Sequence, residues 1–373
     1  MITKNKQPVV FHLITCFEIG GAERLLESFL PKLSEFRHIV ISLRGDGPMR
    51  EAYERVGLTT AILNMHFPFS PHAFFKFFKL VKRYHPQVLV TYLIHADLIG
   101  RVWGKICGIP NIVSYLVARF RGDRFQNPIR LMVLTNWMVD RYIAVSEEVK
   151  RFFVEDINLP ARKFTVITCG INPLQFFTHA DKSKRNFFLQ EIDLPVDAMI
   201  IGTVSKLRPE KGVERFLNAL PIVIKSSPKV YAIFIGGGVL KSQMEQLAAK
   251  LEITNHVRFL GDRNDVPSIL PMIDVFVIAS YFEGMSVALL EAMAAERAVL
   301  ITDTIENREV ITIETGRLID TANEEKFSKA IVELLNNESL RKKMGAAARQ
   351  RVNNYFSVDQ GVAKLSRFFK ELI

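Results

Sequence analysis

The sequence contains few cysteines. Only three occur in 373 residues, Cys16, Cys107 and Cys169, and they stand far apart without the spacing of a zinc site. This usage excludes a disulfide-stabilised secreted scaffold and predicts a reducing compartment with the cysteines in hydrophobic cores.

Long uninterrupted hydrophobic runs are missing as well. The longest apolar stretches, around 129–145 and 269–279, are broken by the charged or polar residues Arg130, Asn136, Asp140, Arg141 and Asp274, so neither can span a bilayer. The apolar run 9–14, which follows a polar start, is too short for a signal-peptide core. We therefore expect a cytoplasmic protein, either soluble or peripheral at the inner face of the cell membrane.

The sequence also lacks internal repeats, low-complexity segments and a recognisable nucleic-acid-binding module. It does have an excess of cations, 49 Lys and Arg against 39 Asp and Glu, which gives a net charge of +10. This balance favours an anionic partner, and an acidic membrane surface or a phosphorylated substrate would suit it equally. We do not expect nucleic acid as a partner, because no such module is present.

The length exceeds that of a typical single core, so two domains are expected. Short β-rich runs alternate with helical patterns in both halves, for example 9–15 before 22–33 and 199–204 before 213–225. This order predicts an α/β fold of two doubly wound, Rossmann-like domains facing a cleft, since such sheets bind ligands at the carboxyl ends of their strands. The active site is expected between them.

The polar segment 172–186 is interpreted as the linker between the domains. We place the first domain at 1–176 together with the tail 357–373, and the second at 177–356. The apolar residues of the tail have helical spacing, which predicts a last helix packing back on the first domain.

Three motifs carry candidate chemistry. Gly20 and Gly21 follow a predicted strand and open a helix, where free amides favour an anion such as a diphosphate; a tight turn without a ligand is the alternative. Lys206 and Lys211 lie five positions apart in a loop after another strand. Their ammonium groups could converge on a diphosphate leaving group and replace a metal ion, or they could belong to a solvated basic loop.

The third motif is a pair of glutamates, Glu283 and Glu291, eight positions apart. A helix beginning near Ser286 would bring both carboxylates to one side. In a mostly apolar helix Glu291 needs a hydrogen-bond partner such as a ribose diol, and the amides of Met285, Ser286 and Val287 would be further anion donors. A helix cap with an incidental glutamate is the alternative, and it suits Glu283 better than Glu291.

Five motifs stand in the order of a known family: Gly20-Gly21-Ala22-Glu23-Arg24, the Lys206 and Lys211 loop, Gly236-Gly237-Gly238, Arg258-Phe259-Leu260-Gly261, and Ser280-Tyr281-Phe282-Glu283-Gly284 leading to Glu291. Together they cover nearly the whole chain. In them the chain resembles the GT-B retaining glycosyltransferases with a Glu, seven residues, Glu signature, known as glycosyltransferase family 4 or glycosyl transferases group 1.

The resemblance implies transfer of a hexose-type sugar from a UDP- or GDP-type nucleotide sugar to a glycan or lipid-linked acceptor, with retention and without metal or other cofactor. Such chemistry serves envelope polysaccharide or glycoconjugate synthesis. Lys206 and Lys211 would hold the donor diphosphate, Glu291 the ribose and Glu283 the sugar hydroxyls. His95, which as a lone histidine could also be structural, resembles the sugar-facing histidine. Gly20 and Gly21 would line the cleft, and Gly236 and Arg258 belong to the donor-side motifs.

Some positions depart from the family pattern. Lys206 stands where arginine is usual, which keeps the charge and loses the bidentate fork. Ile305 and Glu306 replace a Gly-Gly pair and remove backbone access near the donor. Two other functions stay open: a GT-B-fold nucleotide-sugar epimerase, which shares the architecture but against which the glutamate signature argues, and a donor-binding partner subunit without turnover, which the lost glycines alone support.

The segment 71–85 interleaves phenylalanines with lysines and an arginine. Such a helix could lie in an anionic membrane interface or could be buried on the sheet with a solvated rim; we favour the second. A predicted loop with Arg119, Arg121, Arg124 and Arg130 could enlarge the basic surface.

Overall fold

The computed structural model describes residues 7–65, 70–117, 119, 126–168, 170–176, 181–282 and 285–373. The chain forms two compact units, one of residues 1–170 with 358–373 and one of residues 171–357. Cys16 and Cys107 are only partly buried, contrary to the expectation of core cysteines, and Cys169 lies outside the described residues. Within the described ranges no helix is long and apolar enough to cross a membrane.

The first unit is built on a parallel sheet of seven strands. These are β1 (Val9–Ile14), β2 (Arg37–Ser42), β3 (Thr59–Ile62), β4 (Val88–Tyr92), β5 (Asn111–Leu116), β6 (Arg141–Ala144) and β7 (Phe164–Val166). Their order is β3-β2-β1-β4-β5-β6-β7. The central strands β1, β2, β4 and β5 are almost completely buried, as expected for a parallel sheet with both faces covered.

Six helices connect these strands: α1 (Gly21–Phe29), α2 (Pro48–Arg55), α3 (Pro71–Tyr84), α4 (Ile94–Ile106), α5 (Gln126–Leu134) and α6 (Glu147–Arg151). Serine side chains cap two of them, since Ser70 accepts a hydrogen bond at the start of α3 and Ser146 at the start of α6.

The second unit has a parallel sheet of six strands: β8 (Met199–Val204), β9 (Val230–Ile235), β10 (Val257–Gly261), β11 (Val275–Ile278), β12 (Ala298–Thr302) and β13 (Arg317–Ile319). Their order is β10-β9-β8-β11-β12-β13. The helices of this unit are α7 (Lys182–Glu191), α8 (Val213–Ser226), α9 (Lys241–Lys250), α10 (Val266–Ile269), α11 (Val287–Ala294), α12 (Ile305–Val310), α13 (Glu324–Asn336) and α14 (Glu338–Tyr355). Two doubly wound α/β units confirm the predicted fold class.

The last helix, α15 (Val358–Leu372), packs back on the first unit, as predicted. Its residues Leu365, Phe368 and Phe369 are buried in the core of that unit, and the Phe369 ring meets Phe36 edge to face at 5.4 Å. The apolar spacing of the tail is thus explained by burial against the first sheet.

The predicted linker is wrong in its second half. Asp181 accepts a hydrogen bond from the Ser183 amide at 3.0 Å and caps α7, whose Phe188 and Leu189 are buried. The second half of the segment is polar because it consists of a helix cap and an exposed first turn. Two short strands, β3 and β13, were not predicted; both are only half-buried, so neither has a continuous apolar run.

Each sheet has one point where the strand order reverses. In the first unit β1 lies between β2 and β4, and in the second β8 lies between β9 and β11. The carboxyl ends of the strands beside such a point form a crevice in which doubly wound sheets bind ligands.

Candidate active site

The reversal point of the second sheet brings together most of the residues predicted for the donor. The loop after β8 carries Lys206 and Lys211, and the segment after β11 leads to Met285, Ser286 and Val287. Gly236 follows β9 at the same edge. The strand order thus places three of the five motifs at one crevice.

The lysine loop and the segment after β11 are joined through their backbones. Gly212 has a left-handed φ of 58°, and a Cβ there would lie 2.2 Å from the carbonyl oxygen of Ala279. The amide of Tyr281 donates to the carbonyl of Glu210 at 2.9 Å. Only glycine fits at this approach, which fixes Lys211 next to the chain that leads to α11.

Tyr281, which the sequence did not single out, makes two further contacts at this junction. The hydroxyl of Tyr281 donates to Glu214 Oε1 at 2.6 Å, and the guanidinium of Arg215 lies 3.7 Å from the centre of its ring. Tyr281 and Phe282 also line an open groove of about 740 Å³ beside α8 and α9. The tyrosine is therefore held from two sides.

The glycine run after β9 packs against the same loop. Gly236 has φ 128°, and a Cβ there would lie 2.1 Å from the carbonyl oxygen of Ser205. The amide of Leu207 donates to the carbonyl of Gly237 at 2.9 Å. In this structure the glycines hold two neighbouring loops together at the site.

Lys206 forms an ion pair that the sequence did not reveal. Its Nζ lies 2.8 Å from each carboxylate oxygen of Asp262, which also accepts from the Gly237 amide at 2.7 Å. Hydrogen bonds from Lys206 and Gly237 hold the pKa of Asp262 below its usual value. Asp262 directly follows β10, so three loops at one sheet edge meet in this pair.

Helix α11 begins as predicted, close to Ser286. The side chain of Ser286 caps the helix by accepting from the Leu289 amide at 3.3 Å. Glu291 is half-buried on this helix, whereas its neighbours Leu290 and Ala292 are fully buried. The other predicted glutamate, Glu283, lies outside the described residues.

Arg258 is not brought to this crevice. It stands near the start of β10, and its guanidinium donates to the backbone carbonyls of Ile192 at 3.0 Å and Asp193 at 2.9 Å. Further bonds reach the carbonyls of Asn255 and Val257. These contacts tie the strand to the turn after α7, which is a structural task.

The reversal point of the first sheet carries the glycine pair. Gly20 precedes α1, and a Cβ there would lie 2.3 Å from Glu23 Oε2, whereas the same position at Gly21 is open. The carboxyl of Glu23 is buried, which raises its pKa. Because this carboxyl occupies the start of α1, the packing favours the tight turn over an anion at Gly20.

His95 lies at the same reversal point, in the first turn of α4 after β4. Its side chain is exposed, and Leu93 before it has a left-handed φ of 63°. The packed part of the residue loses some hydration, and this together with the nearby charge of Arg44 lowers the pKa of His95, so the neutral imidazole dominates at pH 7. It is available to a ligand and is not a core histidine.

Two family models match the chain. "Glycosyltransferase Family 4" matches residues 19–174, and "Glycosyl transferases group 1" matches residues 184–351. Together they include all five motifs. The chain belongs to glycosyltransferase family 4.

Relatives of this family 4 chain include glycosyltransferases named for a diphosphoundecaprenol-linked substrate and for capsular polysaccharide biosynthesis. It is 24% identical over 311 residues to the UDP-Gal:alpha-D-GlcNAc-diphosphoundecaprenol alpha-1,3-galactosyltransferase of Escherichia coli, covering 79% of this chain and 78% of that one. It is 25% identical over 370 residues to the capsular polysaccharide biosynthesis glycosyltransferase CapM of Staphylococcus aureus, covering 94% of each. The crystal structure of Anabaena Alr3699/HepE with UDP and glucose has a TM-score of 0.88 at 19% identity, covering 98% of this chain and all of that one. That likeness confirms the GT-B fold.

The departure of this family 4 chain at Ile305 and Glu306 has a structural basis. Both residues open α12, which Thr304 caps by accepting from the Asn307 amide at 3.3 Å. Glu306 is buried and Ile305 is 45% exposed. Side chains thus occupy the place where the family pattern has two glycines.

Proposed function

We propose that this family 4 glycosyltransferase moves a hexose-type sugar from a UDP- or GDP-sugar to a glycan or lipid-linked acceptor with retention of configuration. The observation that carries the proposal is the meeting of the Lys206 and Lys211 loop with the start of α11 at the reversal point of the second sheet. A diphosphate there would face two ammonium groups and the amides at the start of α11.

The donor roles that we propose are those that the family resemblance implies. Lys206 and Lys211 would stabilise the negative charge that grows on the leaving diphosphate, as a metal ion does in other sites. Glu291 would bind the ribose diol, and Glu283 the hydroxyls of the transferred sugar. Gly236 shapes the loop that holds Lys206, and Arg258 stays outside the donor site.

On the acceptor side we assign His95, whose neutral imidazole can hydrogen-bond a sugar, and the turn at Gly20 and Gly21. The bond from the anomeric carbon to the diphosphate breaks while the acceptor hydroxyl attacks from the same face. The leaving phosphate takes the acceptor proton. The scheme needs no general base from the protein and no metal ion. Within the described ranges no group of three metal-ligating side chains occurs. Metal independence itself stays a prediction.

Helix α3 supports a lipid-linked acceptor at an anionic membrane surface. One face buries Ala73, Phe77 and Val81, while Phe75 is 60% exposed. Its four cations, Lys76, Lys79, Lys82 and Arg83, have no acidic partner among the described side chains. The buried face agrees with packing on the sheet, and the exposed Phe75 and the cations support the proposed contact with a membrane. A double variant, Lys79→Glu with Lys82→Glu, tests this contact. If it sediments with anionic vesicles as well as the parent does, α3 is not the part of the protein that binds the membrane.

A thermal-shift panel of UDP, GDP, ADP and their sugar conjugates tests the donor. A ligand at 100 times its Kd stabilises the folded protein by about 2.7 kcal/mol, so the right nucleotide raises the Tm. Glu291→Ala and Lys211→Ala should abolish the shift, whereas Lys250→Ala, an exposed change at the end of α9, should not. A panel without any shift would overturn the proposal.

Turnover of the stabilising donor then separates the three functions. Transfer to an acceptor or slow donor hydrolysis is expected. An epimerised donor would indicate the epimerase, and binding without turnover would indicate a partner subunit, for which the side chains at Ile305 and Glu306 are the structural argument.

A further inference from the structure

A small cationic cavity lies at the opposite edge of the first sheet, where the strands begin. Its volume is about 260 Å³, and it is lined by Gln7, Val9, Arg37, Arg83 and Tyr84. Arg37 is the first residue of β2, and Arg83 and Tyr84 end α3. The candidate active site uses the carboxyl ends of the strands, so this cavity is separate from it.

Two guanidinium groups share one aromatic ring in this cavity. The guanidinium carbon of Arg37 lies 5.0 Å from the centre of the Tyr84 ring, and that of Arg83 lies 5.2 Å from it. The two charges are therefore separated by no more than the sum of these distances. Both charges therefore raise the positive potential around the Tyr84 ring, which favours an anion there.

Neither arginine has a compensating acid. Among the described residues neither side chain forms a salt bridge or a hydrogen bond; by contrast, Arg317 and Arg263 each hold a carboxylate with two N–H groups. No acidic residue lines the cavity. Glu35, close to Arg37 in sequence, is engaged by Ser366 and Lys370.

We propose that Arg37 and Arg83 bind a phosphate or diphosphate group in this cavity. The guanidinium fork matches phosphate oxygens, and stacking on Tyr84 pre-orients both forks. The volume falls below the roughly 300 Å³ at which pockets for drug-sized ligands begin, which suits a phosphate group and excludes a whole nucleotide sugar. The group belongs either to a free phosphorylated ligand or to a lipid headgroup at the end of α3.

The site is tested by calorimetric titration with pyrophosphate and with inorganic phosphate. Both titrations use full-length Lys206→Ala/Lys211→Ala protein, so that binding at the proposed donor site does not contribute. Adding Arg37→Gln and Arg83→Gln should weaken pyrophosphate binding at least about tenfold, because two charge-assisted contacts are lost. Arg37→Lys keeps the charge without the guanidinium fork, so its affinity for pyrophosphate should lie between those of the parent and the double glutamine variant.

Arg162→Gln is the matched control. Arg162 is an exposed arginine before β7, five strands from β2 and thus about 24 Å away across the sheet. Its loss should leave the affinity unchanged, and circular dichroism should confirm that every variant is folded.

Flotation with phosphatidylcholine vesicles that contain phosphatidic acid distinguishes the two sources. Arginine-dependent binding of pyrophosphate indicates a free phosphorylated ligand. Arginine-dependent binding of vesicles alone, beyond the effect of Lys79→Gln with Lys82→Gln, indicates a lipid phosphate. If Arg37→Gln/Arg83→Gln binds both probes as its parent does, the cavity is not a phosphate site. Because the donor lysines are absent throughout, this result leaves the proposed transferase function untouched.

Discussion

One ion pair in each unit shows how differently charged groups are placed. The first unit buries the pair of Asp97 with Arg101, and a chain of histidines, inside its core, whereas the second exposes the pair of Lys206 with Asp262 at the edge where the donor is proposed to bind. The difference shows that burial decides whether a charged group is committed to the fold or available to a ligand.

The buried ion pair of the first unit lies between Asp97 and Arg101 on α4. Their side chains are 3% and 0% exposed. Asp97 also accepts from Thr91 at 2.7 Å and from Ser114, and Arg101 donates to the carbonyl of Met132 at 2.9 Å. The network joins α4, β4, β5 and α5, and all its polar groups have partners.

The histidine chain lies on β1 and β2. His12 Nδ1 lies 3.1 Å from the hydroxyl of Tyr92, His12 Nε2 lies 2.9 Å from His38 Nδ1, and His38 Nε2 lies 3.2 Å from the carbonyl of Leu33. With both rings neutral, one set of tautomers satisfies all three contacts: Tyr92 donates to His12, His12 to His38, and His38 to Leu33. A proton on His38 Nδ1 removes the acceptor that His12 needs in this chain.

The ion pair of the second unit, Lys206 with Asp262, is 47% and 65% exposed. Water and salt screen such a pair, so its contribution to stability is about 0–1 kcal/mol. Its weakness is suited to a site in which a donor diphosphate has to displace Asp262 from Lys206.

The largest expected effect is on the buried pair. Arg101→Met leaves the Asp97 carboxylate buried without its partner and should lower the free energy of unfolding of the first unit by about 3–5 kcal/mol. Both tryptophans, Trp103 and Trp137, lie in that unit, so tryptophan fluorescence in urea follows its unfolding. The double variant Arg101→Met/Asp97→Leu should recover most of the loss. A single variant as stable as the parent would contradict the idea that burial commits this pair to the fold.

An intermediate effect is expected from acid. Burial lowers the pKa of His12 well below its usual value and that of His38 to about 4. Unfolded histidine titrates near 6.5, so below that pH the unfolded chain binds more protons than the folded one. The stability that the two neutral histidines contribute is therefore fully present above pH 6.5 and falls between about 6.5 and 4, by about 3 kcal/mol for His38 alone.

The control for this pH dependence is His12→Phe/His38→Leu, which removes both titrating rings. Its tryptophan-monitored unfolding should change less between pH 6.5 and 4.5 than that of the parent. Equal slopes would show that other groups cause the acid sensitivity.

The sequence predicts the fold well where strands are continuous apolar runs. The predicted strand 199–204 matches β8 residue for residue, because strands buried on both faces are apolar throughout. The placement of the lysine loop and the start of α11 follows from the same pattern, since parallel strands all end at one edge. The half-buried β3 and β13 lack that signal.

Partners from distant segments could not be predicted. Asp262 meets Lys206 only because β10 and β8 flank β9, and His12 meets His38 only because β1 and β2 pair in one register. Both contacts depend on strand order, which spacing along the chain does not encode. The signal available for Asp262 was an acid directly after a strand of the same sheet.

The smallest effect on stability is expected from Asp262→Asn, which sharpens the comparison with Arg101→Met. The change should alter the unfolding free energy by less than about 1 kcal/mol, because the pair is exposed and Asn can still accept from the Gly237 amide. The proposed donor site should respond in the other direction: with its counter-charge removed, Lys206 is free to bind the diphosphate, so the nucleotide that stabilises the parent should bind a few-fold more tightly. Calorimetry at two salt concentrations measures this, and the gain should shrink at the higher one, where the charges are screened. A loss of affinity with unchanged stability would instead mean that Asp262 positions Lys206 for the donor and does not compete for it.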